Sequence, residues 1–91
     1  MKVIEKVPNG KLIAMEVQFL QGKVSHMKIT GDFFLYPEEQ IKQVEDSFLE
    51  LPVNISDAEL SSKLQHALKD AELIGVSIDD LVRLFRKAVS L

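Results

Sequence analysis

The chain has 91 residues, 46% of them hydrophobic and 27% charged, which predicts one globular domain with a single modest core. The absence of cysteine excludes disulfides, thiolate nucleophiles and thiolate metal sites. A net charge of −3 argues against general nucleic-acid binding, because that binding depends on many cationic contacts to phosphates. The sequence shows neither an apolar run of transmembrane length nor a secretory signal, so we expect a cytoplasmic protein without membrane association.

Three strands are predicted in the first third of the chain, over about residues 3–7, 11–20 and 24–30. Pro8-Asn9-Gly10 is a strong turn signal between the first two strands. In the second strand, alternate residues are apolar, which is typical of a strand with one buried face. The residues of this apolar face are Ile13, Met15, Val17 and Phe19.

The hairpin between the second and third strands is predicted to have a three-residue loop, Gln21, Gly22 and Lys23. A two-residue loop at Gln21-Gly22 would place polar residues opposite the apolar face. The longer loop instead matches apolar with apolar residues on one face and gives favourable polar pairs across the other. Its pairs are Val17 with Met27, Met15 with Ile29, Glu16 with Lys28 and Gln18 with His26. The register of the first strand stays open.

Three helices follow, over about residues 37–50, 57–73 and 78–90. Pro37 suits the first helical position, and Asp32 is a candidate to cap this helix from a distance. Ser56 and Glu59 have the spacing of a capping box for the second helix. Gly75 is interpreted as the end of the second helix and Ser77 as the cap of the third.

The element order predicts an α+β fold, a three-stranded antiparallel sheet followed by three helices packed on one face. The other face of the sheet, with Glu16, Gln18, His26 and Lys28, should be exposed to solvent. The connection from Ala71 through Gly75 to Leu81 mimics a helix-turn-helix. Acidic Asp79 and Asp80 would then face phosphates, so a tight helical hairpin serving the core is the simpler interpretation.

No complete active site is visible in the sequence. His26 and His66 each lack a second ligand at metal-binding spacing, so no metal site is indicated. Adjacent acids diverge around a helix instead of converging on a substrate. The glycines are scattered singly, which excludes a phosphate-binding loop. We therefore predict no catalytic, cofactor-binding or metal-binding residue.

The segment after the third strand, Gly31 to Tyr36, carries four large apolar or aromatic residues in a row. Because side chains alternate in direction along an extended segment, at least one of them should face outward. An exposed aromatic beside a leucine is typical of an interface centre. The candidate partner-interface residues are Gly31, Asp32, Phe33, Phe34 and Tyr36.

Gly31-Asp32-Phe33-Phe34, preceded by the strand start Gly10-Lys11-Leu12-Ile13, resembles the C-terminal accessory domain of lipoate–protein ligases. In some organisms that domain is a separate small subunit, which forms a heterodimer with the catalytic large subunit. The resemblance implies a non-catalytic subunit that is required for ATP-dependent activation of lipoate to lipoyl-adenylate. ATP, magnesium and lipoate would be used by the complex and not bound by this chain, and lipoyl carrier domains would be indirect partners.

Two alternatives stay open beside this resemblance. One is a free-standing protein-interaction or regulatory module that uses the same exposed segment without any ligase. The other is a helix-turn-helix DNA-binding domain, which the acidic composition disfavours.

Overall fold

The computed structural model describes residues 1–8 and 11–90 and shows the predicted α+β fold. The strands are β1 (Lys2–Lys6), β2 (Leu12–Leu20), β3 (Lys23–Gly31), β4 (Phe34–Tyr36) and β5 (Glu72–Ile74). The helices are α1 (Gln40–Asp46), α2 (Asp57–Ala67) and α3 (Ile78–Val89). Asn9 and Gly10 of the predicted first turn lie outside the described residues.

The main sheet is antiparallel in the order β1-β2-β3. The sequence left the register of the first strand open. In the structure, Val3 of β1 pairs with Met15 of β2. All four predicted pairs between β2 and β3 are confirmed, from Met15 with Ile29 to Gln18 with His26.

The predicted three-residue loop of this hairpin is wrong. Leu20 pairs with Lys23, so only Gln21 and Gly22 form the loop, and a register shift beside Phe19 restores the predicted pairs. Both loop residues have positive φ, 52° and 79°, as in the two-residue turns whose twist matches that of the strands. The extra residue of β3 is Ser25, which forms a bulge between Val24 and His26, whereas the sequence pattern placed the extra residue in the loop, at Lys23.

The core lies between one face of this sheet and the helices. Ile13, Met15 and Val17 of β2 are completely buried, and Phe85 of α3 packs against Phe48 with tilted rings whose centroids are 5.4 Å apart. The opposite face of the sheet is exposed, as predicted for Glu16, Gln18, His26 and Lys28.

A second sheet, unexpected from the sequence, pairs β4 with β5 antiparallel, with Leu35 opposite Leu73. Residues 72 and 73 are therefore strand and do not belong to the second helix, which ends at Ala67. Gly75 follows β5 and is not a helix stop. Residues 68–77 separate α2 from α3, so the connection is neither a tight helical hairpin nor the short turn of a helix-turn-helix.

The first helix is shorter than predicted. Pro37 lies in a turn before α1, and its carbonyl accepts a hydrogen bond from the Gln40 N–H at 3.0 Å. Glu39 occupies the cap position without a side-chain hydrogen bond, so Asp32 does not cap this helix.

The other two helices begin at the predicted positions, but the capping box predicted for Ser56 and Glu59 is only half formed, because the Glu59 carboxylate does not accept the Ser56 N–H. The Ser56 hydroxyl accepts the Glu59 N–H, and Ser77 and Asp80 form a complete capping box at α3. None of the helices in the described part of the chain combines the length and apolar character that crossing a bilayer requires.

Candidate partner interface

The two-stranded sheet of β4 and β5, called the ribbon below, carries three large exposed side chains. Phe34 is 57% exposed, Tyr36 54% and Ile74 44%. Phe34 lies directly opposite Ile74, whereas Leu35 between the two aromatics is buried in the core. The expectation that at least one of Phe33 to Tyr36 faces outward is confirmed. We call Phe34, Tyr36 and Ile74 the ribbon patch.

Gly31 positions the start of this segment. It is the last residue of β3, has a φ of +153° and lies against the backbone of β2. A Cβ added there would be 2.4 Å from the Leu12 carbonyl oxygen and 2.9 Å from the Cα of Ile13. The next residue, Asp32, donates its N–H to that same carbonyl at 2.8 Å. Only glycine permits this close approach, which directs the chain from the main sheet into the ribbon.

The remaining predicted residues have different environments. Asp32 is exposed, whereas Phe33 is half-buried and packs against the core from beneath the ribbon. The five candidate residues lie in one segment interrupted by the buried Leu35, and only Phe34 and Tyr36 present large side chains to solvent. Sequence reasoning missed Ile74, because the segment was interpreted as the end of a helix. The available signal was Ile74-Gly75-Val76, two β-branched residues around a glycine, which favours a strand end.

The surroundings of the ribbon patch are acidic. Residues 31–39 and 72–75 contain four acids, Asp32, Glu38, Glu39 and Glu72, and no lysine or arginine. Glu72 is exposed and lies opposite Tyr36 in the ribbon. An apolar centre with a charged rim is the usual composition of a protein–protein interface.

The space beneath the ribbon is too small for a ligand. Its walls are entirely apolar, and its volume is about 10 Å³, whereas small-molecule sites have roughly 300–1,000 Å³. The described residues also contain no group of three or more histidine or acidic side chains that could hold a metal ion. The ribbon is therefore suited to contact a surface and not to enclose a substrate.

The best-connected charged cluster has a structural role. Arg83 of α3 bonds to Glu5 of β1 and to Asp80, each at 2.6 Å. Partial burial alone would raise the pKa of Asp80, but hydrogen bonds from Arg83 and Ser77 outweigh it and lower that pKa below its ordinary 3.8. These contacts attach α3 to the sheet.

No protein-family model and no curated protein matches the chain. Chains of solved structures do match in fold, and one of them has a TM-score of 0.73 and 19% identity over 94% of this chain and 98% of that chain. That structure is described as an archaeal lipoylation system from Thermoplasma acidophilum, a bi-partite lipoate protein ligase and its E2 lipoyl domain. This is the resemblance that the sequence predicted. At this level of identity the match establishes the fold.

Proposed function

We propose that this chain is the accessory subunit of a two-chain lipoate–protein ligase. It forms a cytoplasmic heterodimer with the catalytic large subunit and is required there for ATP- and magnesium-dependent activation of lipoate to lipoyl-adenylate. The observation that carries the proposal is the fold match to a chain of a bi-partite lipoate protein ligase system, which extends over nearly the whole of both chains. The Gly31-Asp32-Phe33-Phe34 motif supports it independently.

The proposal assigns the bond-making residues to the large subunit. Lipoate, ATP and magnesium are held there, and the lipoyl carrier domain receives the product from the complex. The accessory subunit contributes binding energy that orders the large subunit around the adenylate. Such ordering can increase the rate of adenylate formation without any reacting group from the accessory subunit. The entropy of aligning lipoate and ATP is then lost when the subunits bind and not in the chemical step.

The ribbon patch is the docking surface in this proposal. Leu35 is anchored in the core between Phe34 and Tyr36, so both aromatics are presented on a rigid backbone. Rigid, exposed aromatics are the side chains that most often dominate binding energy. Because acidic residues surround the ribbon patch, we expect the matching surface of the large subunit to have an apolar centre with basic residues around it.

The first experiment measures lipoyl-adenylate formation by the large subunit with and without this chain, at equal ATP and magnesium. Adenylate formation that requires this chain is the expected result. A large subunit that is fully active alone and forms no complex with this chain would overturn the proposal and favour a free-standing interaction module.

The docking surface is tested with Phe34→Thr and a matched control, Leu20→Thr. Leu20 is 66% exposed but lies at the hairpin end of β2, roughly 25 Å from Gly31 at about 3.4 Å per residue. Truncating an interface anchor costs about 2 kcal/mol or more, so Phe34→Thr should weaken subunit binding about 30-fold. Leu20→Thr should bind normally. Equal binding by both variants would place the interface elsewhere.

A further inference from the structure

The two edges of the main sheet differ in what covers them. At the β3 edge, the Glu45 carboxylate of α1 accepts the Ile29 N–H at 2.8 Å. Nearer the hairpin, the N–H and C=O of Val24 bond to Leu51 and Glu50 at 3.0 and 2.8 Å. These contacts occupy outward-facing backbone groups of β3, so this edge is partly closed to another strand.

The β1 edge has its hydrogen-bonding groups directed outward. The Val17 N–H donates to the Met1 carbonyl at 2.9 Å, and the Val7 N–H donates to the Lys11 carbonyl at 2.8 Å. In an antiparallel ladder, every second residue bonds to the neighbouring strand, so these contacts show that the odd-numbered residues face β2. The N–H and C=O groups of Lys2, Ile4 and Lys6 therefore point away from the sheet.

These outward groups have no partner within the part of the chain that the structure describes. The side chains of the same three residues lie on the exposed face of the sheet, and Ile4 is 54% exposed between the two lysines. The β1 edge thus presents an ordered row of backbone donors and acceptors, with the side-chain pattern basic, apolar, basic.

We propose that the β1 edge binds an extended acidic segment of another protein by strand addition. The incoming strand places acidic side chains opposite Lys2 and Lys6 and an apolar side chain opposite Ile4, at positions i, i+4 and i+2. The backbone supplies hydrogen bonds that do not depend on sequence, and the three side-chain positions supply the selectivity.

A second copy of this chain is a poor occupant. Antiparallel pairing of two β1 strands about Ile4 would place Lys2 of each copy opposite Lys6 of the other, and like charges directly opposite one another are destabilising. Lysines on edge strands commonly prevent such self-association. The same two lysines favour an acidic strand from a different protein.

The probe is an end-blocked peptide, Thr-Glu-Thr-Val-Thr-Glu-Thr, titrated into the ¹⁵N-labelled full chain and followed by NMR. The control peptide has lysine in place of both glutamates. We expect saturable shifts and slowed hydrogen exchange at the amides of Lys2, Ile4 and Lys6, with the acidic peptide bound about tenfold more tightly. Shifts centred elsewhere, equal binding of both peptides, or no binding at millimolar peptide would overturn the proposal.

Two protein variants separate the backbone contribution from the charge contribution. Ile4→Pro removes one outward N–H but no hydrogen bond to β2, and proline is tolerated on sheet edges, so it should abolish binding in a folded protein. The double variant Lys2→Glu, Lys6→Glu should reverse the preference and select the basic peptide. A control with the same net charge, Lys63→Glu, Lys69→Glu, changes exposed residues beyond the sheet and should keep the acidic preference.

Unchanged binding by Ile4→Pro would show that strand addition is not the mode. Loss of the acidic preference in the Lys63→Glu, Lys69→Glu control would show that only net charge matters, and would equally overturn the proposal. Neither test requires a ligase. Their failure would therefore leave the proposed accessory function standing.

Discussion

Gly31→Ala is the substitution that most directly tests how β3 leads into the ribbon. The new Cβ would lie 2.4 Å from the Leu12 carbonyl oxygen, a distance that real Cβ contacts do not reach. Both neighbouring atoms are backbone, so no side chain can rotate away. Relief requires β3 to move from β2, and this movement would break the 2.8 Å hydrogen bond from the Asp32 N–H to Leu12.

The loss in the free energy of unfolding caused by Gly31→Ala is the sum of separate physical contributions. A non-glycine residue at positive φ costs about 1–3 kcal/mol. Forcing an extra methyl group into a closely packed position costs typically about 1–3 kcal/mol more. The alanine side chain also lowers the entropy of the unfolded chain, which returns about 0.4–1 kcal/mol. The free energy of unfolding should therefore fall by about 1–5.6 kcal/mol.

Gly22→Ala supplies the matched control. Gly22 also has a positive φ, +79°, but an added Cβ would meet nothing within 4 Å. This variant carries the backbone strain without the collision, so we expect a loss of about 1 kcal/mol. Urea denaturation followed by circular dichroism measures both values. If Gly31→Ala costs no more than Gly22→Ala, the close approach of β3 to β2 contributes nothing to the free energy of unfolding.

Three further substitutions test other contacts. Asp80→Asn should destabilise the protein by about 1 kcal/mol at pH 7, because the capping box and the bond to Arg83 are weakened. Since the folded pKa of Asp80 is below 3.8, its contribution is present above that pH and is lost as the pH falls through the folded pKa; urea titrations should therefore converge for the two proteins in acid. Phe85→Ala should cost about 3–5 kcal/mol in the same assay, because this fully buried ring leaves a cavity. Glu45→Ala should cost about 1–3 kcal/mol by leaving the Ile29 N–H without its acceptor, and amide exchange at Ile29 should accelerate while the opposite edge is unchanged.

The main sheet was predictable because its strands are adjacent in sequence and their patterns determine how they pair. Alternation along β2, the charge pair Glu16–Lys28 and the polar pair Gln18–His26 determine a register that a one-residue slip would destroy. The bulge in β3 was not predictable in the same way. It arises because a two-residue turn with positive φ at Gln21 fits the strand twist, and sequence patterns of apolar residues do not report twist.

The ribbon depended on contacts between distant parts of the chain. Leu68 and Ala71 continue the apolar spacing of α2 beyond its end, so local periodicity favours extending the helix to about residue 73. Pairing with residues 34–36 overrides that preference, because Leu73 then faces the core beside Leu35. The exposure of Phe34 and Tyr36 follows from simple alternation, but the addition of Ile74 to the patch required the pairing itself.

Charge is divided unevenly between the two proposed binding surfaces, and this division limits what each can bind. Residues 1–31 carry five lysines and two glutamates, whereas residues 32–91 carry twelve acids and six bases. The β1 edge belongs to the basic part, and the ribbon patch belongs to the acidic part. A single partner surface of uniform charge cannot complement both. The two surfaces should therefore engage segments of opposite charge, either on two proteins or on separate regions of one protein.

Raising the salt concentration should weaken both contacts, since each depends on exposed charges. Contacts at the ribbon should lose the smaller share of their affinity, because burial of Phe34, Tyr36 and Ile74 does not depend on screening, whereas the selectivity of the β1 edge depends on the charges of Lys2 and Lys6.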